Sequence, residues 1–426
     1  MMKSRMDKKL HVLFISQHFP PEIGAAATRI SELAFALRRK GHRVSVVTEF
    51  PNYPEGIIQD HHRGKLFLKE KYNDIEVVRT FVYASERGTI LQRMLFYLSF
   101  MFSAVFGGLL VRDYDLILAT SPPLFVALSG YALSVFRRRP FIFEVRDIWP
   151  ESARSLNQLR GRLFIWMAEK LERFLYRRAD RIIVVTPGFI RDLLSKSVPR
   201  DKITLISNGV DVNFFKPRPA IATLAGKYGL KDRFVVSYTG NLGLAQGIET
   251  IIDCAELLQD QPDIVFILVG DGVVKKRIMD SANRRGLQNV IFIDSQPKSE
   301  ISAFLSTSKV CLVPLKKTEL FRITVPSKLY ESMACGKPVI LSVDGEARRI
   351  LEEARAGIFA EPENAREMAE AILKMYRHPE LLAEYGRNGR RHVVEHFSRN
   401  QQVDLLESLL CRVIASGQPE EACDPG

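Results

Sequence analysis

The sequence has few cysteines. Five residues spread over 426 positions contain no C-x-x-C pair, and they are Cys254, Cys311, Cys335, Cys411 and Cys423. Because the set is odd and widely spaced, it supports neither a disulfide framework nor a zinc site, and a reducing cytoplasm is the expected compartment. The basic N-terminus lacks the apolar core and the small-residue cleavage site of a signal peptide, so secretion is not expected.

Features of a nucleic-acid-binding protein are also lacking. The formal net charge of +12 favours an anionic partner. However, the sequence has neither a recognisable reader helix nor aromatic residues interleaved with a basic stripe, so no nucleic-acid partner is predicted. An anionic lipid surface or a phosphate-bearing substrate remains. Hydrophobic residues at 46% and charged residues at 26% are close to globular averages and give no case for a disordered or fibrous chain.

The chain is long enough for two domains. In its first half, short apolar runs such as HVLFIS from His11, RVSVVT from Arg43 and FIFEV from Phe141 alternate with helical patterns. This βαβ alternation predicts a parallel, doubly wound sheet. After a turn-rich linker, a second series of five predicted strands starts at Phe234, Ile264, Val290, Val310 and Pro338. The predicted division is a domain over 8–212, a second over 213–397, and an amphipathic helix over 398–416 that packs back onto the first.

Two apolar runs in the first domain raise the question of a membrane. Residues 94–111 and 121–136 are uncharged, and the second run ends in Arg137, Arg138 and Arg139. The first run is barely long enough to cross a bilayer, which takes about 20 residues. We expect it to lie against the membrane surface, with the arginines facing lipid phosphates. An ordinary buried helix over the sheet is the open alternative.

The turn after the first predicted strand reads PPEIGAAAT over 20–28. Small residues beside a helix N-terminus allow a ligand to approach unpaired N–H groups, so a diphosphate or a sugar hydroxyl could bind near Gly24. The turn is not the G-x-G-x-x-G dinucleotide fingerprint, and close helix–sheet packing also explains its composition.

Asp147 follows the predicted strand FIFEV. The carboxyl ends of strands face the ligand crevice in an open α/β sheet, so Asp147 is a candidate to contact the reacting sugar or the acceptor hydroxyl. The alternative is a helix N-cap, because Pro150 and Glu151 follow shortly after.

A glycine-rich turn, TGNLGLAQG at 239–247, follows the first strand of the second domain. Such a strand-to-helix turn can hold phosphates with its backbone amides, and its polar Asn241 and Gln246 favour this interpretation over a simple chain reversal. Gly270 and Asp271 occupy a similar turn after the next strand, which is expected to line the same crevice.

The most informative run is RITVPSKLYESMACGKP at 322–338. A helix over Ser327–Ala334 would direct its N-terminal amides and Lys328 at a diphosphate, and Glu331 one turn later could accept ribose hydroxyls. Pre-placed donors of this kind stabilise the charge on a departing diphosphate. A solvated helix face explains Lys328 but not the whole set.

Taken together, these motifs resemble the family-4 retaining glycosyltransferases of GT-B fold from His11 to about Phe397. The resemblance rests on PPEIGAAATR at 20–29, EVRDIWPES at 144–152, SNGVD at 207–211, TGNLGLAQG at 239–247, VGDG at 269–272 and PSKLYESMACGKPV at 326–339. It implies an α/β protein with two Rossmann-like parallel-sheet domains facing a central cleft. The second domain would hold the donor and the first the acceptor, with retention of anomeric configuration and no metal or other cofactor besides the nucleotide-sugar substrate.

The resemblance also implies roles for single residues. Glu331 would hold the ribose, Lys328 and the amides near Gly243 the diphosphate, and the segment around Ser295 and Gln296 the base. The predicted donor-binding residues are Gly24, Asn241, Gly243, Gly270, Asp271, Ser295, Gln296, Arg322, Ser327, Lys328 and Glu331. The predicted acceptor-side residues are Glu22, Arg146 and Glu151, and the predicted catalytic residues are Asp147 and Lys328.

The chain departs from the family pattern at several of these positions. Ile323 stands where the family has the first glutamate of its E-x7-E motif, and Asn241 and Gln246 replace the usual arginine and lysine of the phosphate loop. We expect Lys328, together with Arg322, to carry the phosphate charge instead.

The family's catalytic-loop histidine is also replaced, by Arg146 and Asp147, and we expect Asp147 to orient or deprotonate the acceptor. The combination most resembles transferases of O-antigen, capsule and exopolysaccharide assembly, including N-acetyl-fucosamine transferases. That implies a UDP-linked amino or deoxy sugar, a polyprenyl-diphosphate-linked glycan acceptor and peripheral attachment to the inner face of the cytoplasmic membrane. Two alternatives remain open, a UDP-sugar 2-epimerase of the same fold and a non-catalytic membrane-associated scaffold.

Overall fold

The computed structural model describes residues 9–22, 24–52, 56–84, 89–151, 154 and 162–416. Cys423, and Ile23 and Ser152 of the motifs above, lie outside the described residues. The chain forms two compact units, an N-terminal unit of Met1–Ser207 with Asn400–Gly426 and a C-terminal unit of Asn208–Arg399. The predicted boundaries at 212 and 397 fall close to this division.

The N-terminal unit is built on an eight-stranded sheet. Its strands are β1 (His11–Ile15), β2 (Arg43–Glu49), β3 (Phe67–Tyr72), β4 (Ile75–Thr80), β5 (Leu116–Ser121), β6 (Phe141–Val145), β7 (Arg181–Val184) and β8 (Ile203–Leu205). Their order is β3-β4-β2-β1-β5-β6-β7-β8, and all neighbours are parallel except β3 and β4. The central strands are buried apolar runs, as expected for a parallel sheet covered on both faces.

Helices cover this sheet on both faces. They are α1 (Ala25–Arg39), α2 (Ile90–Leu110), α3 (Leu124–Arg137), α4 (Arg162–Arg178), α5 (Pro187–Ser195) and, from the end of the chain, α15 (Arg399–Ser416). Leu406 and Leu410 of α15 join Leu33 and Leu37 of α1 in one buried apolar cluster. By length and composition, the segment Leu91–Leu110 of α2 could cross a membrane, and 28% of that segment is buried.

The C-terminal unit has a six-stranded parallel sheet. Its strands are β9 (Phe234–Thr239), β10 (Ile264–Val269), β11 (Val290–Ile293), β12 (Val310–Pro314), β13 (Val339–Ser342) and β14 (Gly357–Phe359), in the order β11-β10-β9-β12-β13-β14. Its helices are α6 (Ala222–Lys227), α7 (Ile248–Leu257), α8 (Lys275–Arg284), α9 (Lys298–Thr307), α10 (Glu319–Arg322), α11 (Ser327–Ala334), α12 (Glu346–Ala354), α13 (Ala365–Arg377) and α14 (Pro379–His396). The prediction of two parallel α/β domains is therefore confirmed.

Each strand order contains a point where the winding direction reverses. In the N-terminal sheet β1 lies between β2 and β5, and in the C-terminal sheet β9 lies between β10 and β12. Open α/β sheets bind ligands outside the carboxyl ends of the strands at such a switch point. The turns after β1 and β9 are therefore the places where each unit is expected to hold its ligand.

Candidate functional site

The turns after β9 and β10 approach each other so closely that glycine is required. A Cβ atom on Gly270 would lie 1.9 Å from the backbone oxygen of Gly240, and one on Gly240 would lie 2.5 Å from Cε of Lys328. Gly240 also has φ of +130°, which non-glycine residues rarely adopt. The backbone of this turn is thus held directly against the lysine that was predicted to bind phosphate.

Lys328 projects from the first turn of α11 toward neutral partners. Its Nζ donates to Oε1 of Gln246 at 3.1 Å and lies 5.2 Å from the centroid of the Tyr238 ring. Burial lowers the pKa of the Lys328 ammonium to about 8, and the nearby Glu331 opposes this shift. An amide oxygen and an aromatic ring orient the cation without neutralising it, so its charge remains available to an anion.

The N-terminus of α11 adds further donors. The helix runs Ser327–Ala334, as the sequence predicts, and its N-cap residue, Pro326, makes no side-chain hydrogen bond to the N-terminal amides. Such amides and the positive end of the helix dipole attract phosphate groups. Glu331 is partly buried one turn along the helix, at the position predicted for the ribose.

The structure brings several other predicted donor residues into these turns. The amide Nδ2 of Asn241 would lie 2.7 Å from a Cβ on Gly243, and the N–H of Leu242 donates to the backbone oxygen of Asp271 at 2.8 Å. A carboxylate oxygen of Asp271 in turn accepts from the N–H of Gly272 at 2.7 Å. The loops after β9 and β10 therefore form one continuous surface.

Arg322 has partners of its own. Its guanidinium lies 3.3 Å from a carboxylate oxygen of Asp344 and 3.5 Å from one of Glu319, and its side chain is exposed. Because protein carboxylates already balance this charge, Arg322 is a weaker candidate for the phosphate than Lys328.

Ser295 and Gln296 follow β11, where the Gln296 amide donates to the backbone oxygen of Asp294 at 3.1 Å. Their contact with a base stays a prediction.

In the N-terminal unit, Arg146 is held in a buried ionic network. Its Nε donates to Oγ1 of Thr120 at 2.8 Å and lies 3.7 Å from Glu144, which also pairs with Arg29 at 2.8 Å. Burial lowers the pKa of Arg146 to about 10. Burial alone would raise the pKa of Glu144, but the two arginines hold it below its ordinary value. This network gives Arg146 a structural role at the end of β6, and its contact with an acceptor stays a prediction.

Asp147 is partly buried in the bend that follows β6. The next helical turn starts at Glu151, and the N–H of Arg154 bonds to the backbone oxygen of Pro150. Asp147 therefore lies upstream of the capping position, and the N-cap interpretation is wrong. Glu151, assigned to the acceptor side, is about half exposed and accepts from the Arg154 guanidinium at 3.1 Å.

A polar cluster after β1 and β2 was not predicted, except for Glu22. Nδ1 of His18 lies 2.8 Å from Oε2 of Glu22 and 3.6 Å from Oε1 of Glu49. Gln17 and Asn52 donate to the two carboxylate oxygens of Glu49 at 2.7 and 2.8 Å. The sequence signal for these residues is their place at or just after the ends of two strands, and the structure shows that these strands are neighbours. We call His18, Glu22 and Glu49 the histidine–carboxylate cluster.

Within the part of the chain that the structure describes, this cluster is the group of side chains that could hold a metal ion. Its ligand atoms lie within 4.8 Å of one another. They already hydrogen-bond to each other and to Gln17 and Asn52, which satisfies both carboxylates without a cation.

Gly24, which was predicted to lie beside a phosphate, precedes α1 with open space around it, because no atom of the described residues would lie within 4 Å of a Cβ at this position.

Two Rossmann-like units of this kind define a class of enzyme once sequence comparisons are added. A model of the glycosyl transferase 4-like domain matches residues 24–209, and a model of the glycosyl transferases group 1 matches residues 222–392. Each of the two matches coincides closely with one unit. The chain is therefore a glycosyltransferase with the GT-B fold, and its C-terminal unit is the part that matches the group 1 model.

Known proteins resemble the chain over different shares of its length. WcaI of Escherichia coli K12, whose name assigns it to colanic acid biosynthesis as a glycosyl transferase, is 23% identical over 390 residues, 88% of this chain and 95% of that protein. The alpha-galactosylglucosyldiacylglycerol synthase of Streptococcus pneumoniae R6 is 30% identical over 219 residues, 49% of this chain and 54% of the synthase. The structure of HepE from Anabaena with UDP and glucose matches at a TM-score of 0.71 and 20% identity, covering 95% of this chain and 100% of HepE. The last likeness concerns the fold.

Proposed function

We propose that the protein transfers an amino or deoxy sugar from a UDP-sugar to a polyprenyl-diphosphate-linked glycan, with retention of anomeric configuration, in the assembly of a surface polysaccharide. The observation that carries this proposal is Lys328, whose ammonium is held by neutral partners beside a glycine turn and the N-terminus of α11. The colanic acid assignment in the name of WcaI supports the pathway class.

The donor chemistry follows from this arrangement. When the bond between the sugar and its diphosphate breaks, negative charge develops on the departing nucleotide. A fixed ammonium and fixed backbone amides stabilise that charge without having to reorganise. Lys328 and the N-terminus of α11 thereby do what a metal ion does in other transferases. UDP is the proposed nucleotide because HepE, which shares the fold, binds UDP.

On the acceptor side, the proposal uses Asp147 and the turn after β1. Asp147 lies at the carboxyl end of β6, where a carboxylate can accept a hydrogen bond from a sugar hydroxyl and orient it. A lipid-linked acceptor agrees with the net charge of +12, since a diphosphate-linked lipid is anionic. The glycolipid named as the product of the pneumococcal synthase is in keeping with a lipid acceptor.

The apolar helix α2 supports attachment to a membrane surface. Phe96, Phe100 and Ala104 on one face are buried, whereas Phe102 and Phe106 on the other are mostly exposed. A helix whose one face packs on the sheet can lie on a bilayer but cannot cross it without leaving the sheet. We therefore propose docking, not insertion.

The close packing of α2 makes insertion still harder. A Cβ on Gly107 would lie 2.5 Å from Cγ2 of Thr80 in β4, and one on Gly108 would lie 2.2 Å from Leu133 in α3. Both glycines bring the helix backbone directly onto its neighbours. Removing α2 from the sheet would expose these surfaces along with the buried phenylalanines.

The neighbouring helices extend the exposed apolar face and add charge. Rings of Tyr131 in α3 and Phe174 in α4 meet at 5.2 Å, which joins the two helices. On α4 four large apolar side chains are exposed, namely Leu163, Phe164, Trp166 and Met167. The exposed basic residues at the end of α3 and directly after it are Arg137, Arg138 and Arg139. Apolar side chains beside arginines suit the headgroup region of an anionic leaflet, and we propose the inner face of the cytoplasmic membrane.

The test is a thermal-shift screen of the purified protein against UDP, GDP, TDP and ADP. Because a ligand that binds only the folded state raises the melting temperature, we expect UDP to stabilise the protein. Lys328→Ala and Glu331→Ala should abolish the shift, while Arg322→Ala should reduce it much less. No shift with any of the four nucleotides would contradict the proposal, and a shift with another nucleotide alone would replace UDP as the donor.

A further inference from the structure

Three aromatic side chains of the N-terminal unit contact one another at the carboxyl edge of its sheet. Phe125 is in the first turn of α3, shortly after β5, and Trp149 is in the turn after β6. Their ring centroids are 6.3 Å apart, and the ring of Tyr97 in α2 stacks with that of Phe125 at 6.2 Å. We call Tyr97, Phe125 and Trp149 the aromatic cluster. None of the three has a part in the function proposed above.

The strand pairing explains where the aromatic cluster lies. Strand β5 pairs with β1 on one side and with β6 on the other, and Ser121 at the end of β5 is opposite Val145 at the end of β6. The strand order reverses beside β5, at β1. Because open α/β sheets bind ligands outside the carboxyl ends of the strands at such a point, the aromatic cluster borders the crevice in which the N-terminal unit is expected to hold its ligand.

The turn that carries Trp149 is fixed, yet its ring is not buried. The N–H of Trp149 donates to the backbone oxygen of Asp147 at 3.2 Å, and Ile148 between them is buried. At the start of the turn, Nε of Arg146 donates to Oγ1 of Thr120 at 2.8 Å. All three rings of the aromatic cluster are partly exposed. A ligand therefore meets rings on an ordered backbone, and little conformational freedom is lost when it binds.

An aromatic ring beside a carboxylate is suited to bind a sugar. A pyranose has apolar C–H groups on its faces, which pack on an aromatic ring, and hydroxyl groups around its edge, which need hydrogen-bond partners. Trp149 provides the ring, and Asp147 in the same turn provides a carboxylate, which can accept several hydrogen bonds at once. Small-molecule sites combine aromatic walls with a few polar groups in this way.

The lipid part of the proposed acceptor is a less suitable occupant. A hydrocarbon chain on Trp149 would remove water from the Asp147 carboxylate without offering it a hydrogen bond, which is costly for a charged group. A sugar hydroxyl offers that bond. In addition, Tyr97 belongs to α2, the helix that we propose to lie on the membrane. A glycan at the aromatic cluster would thus be next to the helix that its lipid anchor approaches.

From these observations we infer that the aromatic cluster binds a pyranose ring of the acceptor glycan, with Trp149 in contact with the sugar face. The inference rests on the proposed function, because it takes the acceptor to be a glycan. Phe125 and Tyr97 support the indole, and Asp147 accepts a hydrogen bond from a hydroxyl of the same sugar. Trp149 then sets the affinity for the acceptor, and donor binding by the C-terminal unit does not depend on it.

The first experiment measures transfer to a lipid extract of the host cells, with the UDP-sugar that wild type uses. Trp149→Tyr keeps an aromatic face, whereas Trp149→Leu keeps apolar volume without one. We expect the apparent KM for the extract to rise about tenfold in Trp149→Leu and Trp149→Ala, and to stay within about threefold of wild type in Trp149→Tyr. The UDP-induced thermal shift should be the same in all of them. Phe67→Ala, which removes an exposed ring from β3, should behave as wild type.

The second experiment uses the fluorescence of Trp149. The chain has two tryptophans, Trp149 and Trp166, so the tryptophan emission of Trp166→Phe comes from Trp149 alone. Mild acid cleaves the bond between the glycan and the lipid diphosphate, and the free glycan and the polyprenyl fraction of the extract can then be added separately. We expect the free glycan to shift the emission saturably and the polyprenyl fraction to leave it unchanged.

The two experiments distinguish the possible failures. If wild type transfers sugar but Trp149→Leu keeps the wild-type KM, or Trp149→Tyr loses as much as Trp149→Ala, no aromatic face is needed and the inference fails alone. A response of the Trp149 emission to the polyprenyl fraction, or to neither fraction, also overturns it. If wild type neither binds UDP nor transfers sugar, the proposed function itself fails, and the free glycan titration still tests whether the aromatic cluster binds a sugar.

Discussion

The sharpest test of the donor site is the pH dependence of nucleotide binding. Burial lowers the pKa of Lys328 to about 8 in the unliganded protein. A bound diphosphate favours the ammonium form and raises this pKa again. Binding is then coupled to protonation of the lysine, and the affinity must decrease as the pH rises through 8, because fewer molecules carry the charged form.

The magnitude follows from the fraction of protein that is protonated. With a pKa of about 8, about nine tenths of the lysine is charged at pH 7 and about one tenth at pH 9. The Kd for UDP should therefore rise about tenfold between these values, a loss of about 1.4 kcal/mol. Proton uptake on binding should be about one half at pH 8 and approach one at pH 9.

Isothermal titration calorimetry in two buffers of different ionisation enthalpy measures both quantities. Lys328→Arg is the matched control, because a guanidinium stays charged over this range. Any pH effect that belongs to the nucleotide is common to both proteins. The reasoning is refuted if the wild-type Kd is constant from pH 7 to 9, or if Lys328→Arg weakens with pH as much as wild type does.

Three other predictions concern single features of the two units. The pKa of Glu49 is raised to about 7, so the folded state favours its protonated form, and wild type should lose about 3 kcal/mol of stability relative to Glu49→Gln as the pH rises from 4.5 to 7. Urea unfolding at pH 5 and pH 8 measures this loss, and a stability difference between the two proteins that is the same at both pH values would contradict the prediction. Gly240→Ala should weaken UDP binding at least about tenfold by displacing the lysine, whereas Gly226→Ala, in open surroundings within the described structure, should not. The double change of Phe102 and Phe106 to serine should reduce flotation with anionic vesicles and leave the UDP thermal shift intact, and equal flotation would argue against docking through α2.

The sequence predicted the two parallel sheets because their central strands are fully buried apolar runs that need no context to recognise. It did not predict β3 or β14. Strand β3 has no long apolar run, because exposed and half-buried residues alternate over Phe67–Tyr72, and β14 has only three residues. Helix α11 was predicted to the residue, because Pro326 provides a natural start and Gly336 lies just past the end. Short edge strands depend on neighbours that a linear pattern does not show.

The candidate residues of the two units also differ in how far the sequence alone predicts them. Lys328 and Gly240 could be predicted because a lysine at a helix start and a glycine turn carry their chemistry in local sequence. His18 and Glu49 are separated by a helix and meet only because β1 and β2 are adjacent. Arg146 shows a further limit of the sequence, since only the fold reveals that Glu144 and Thr120 already contact it, while its contact with an acceptor stays a prediction.

The replacement of two basic residues in the phosphate loop becomes understandable from the contacts of Gln246. Its amide oxygen accepts from Lys328, whereas a lysine at that position would place a second cation beside a buried ammonium whose pKa is already lowered and would lower it further. With Asn241 also neutral and Arg322 balanced by Asp344, Lys328 would be the cation that carries the electrostatic part of the proposed diphosphate binding among the described side chains of these turns. A site with three cations would lose only a share of its affinity when one is removed. Here substitution of Lys328 alone should remove nearly all of it, which is why that residue decides the function proposed for the whole chain.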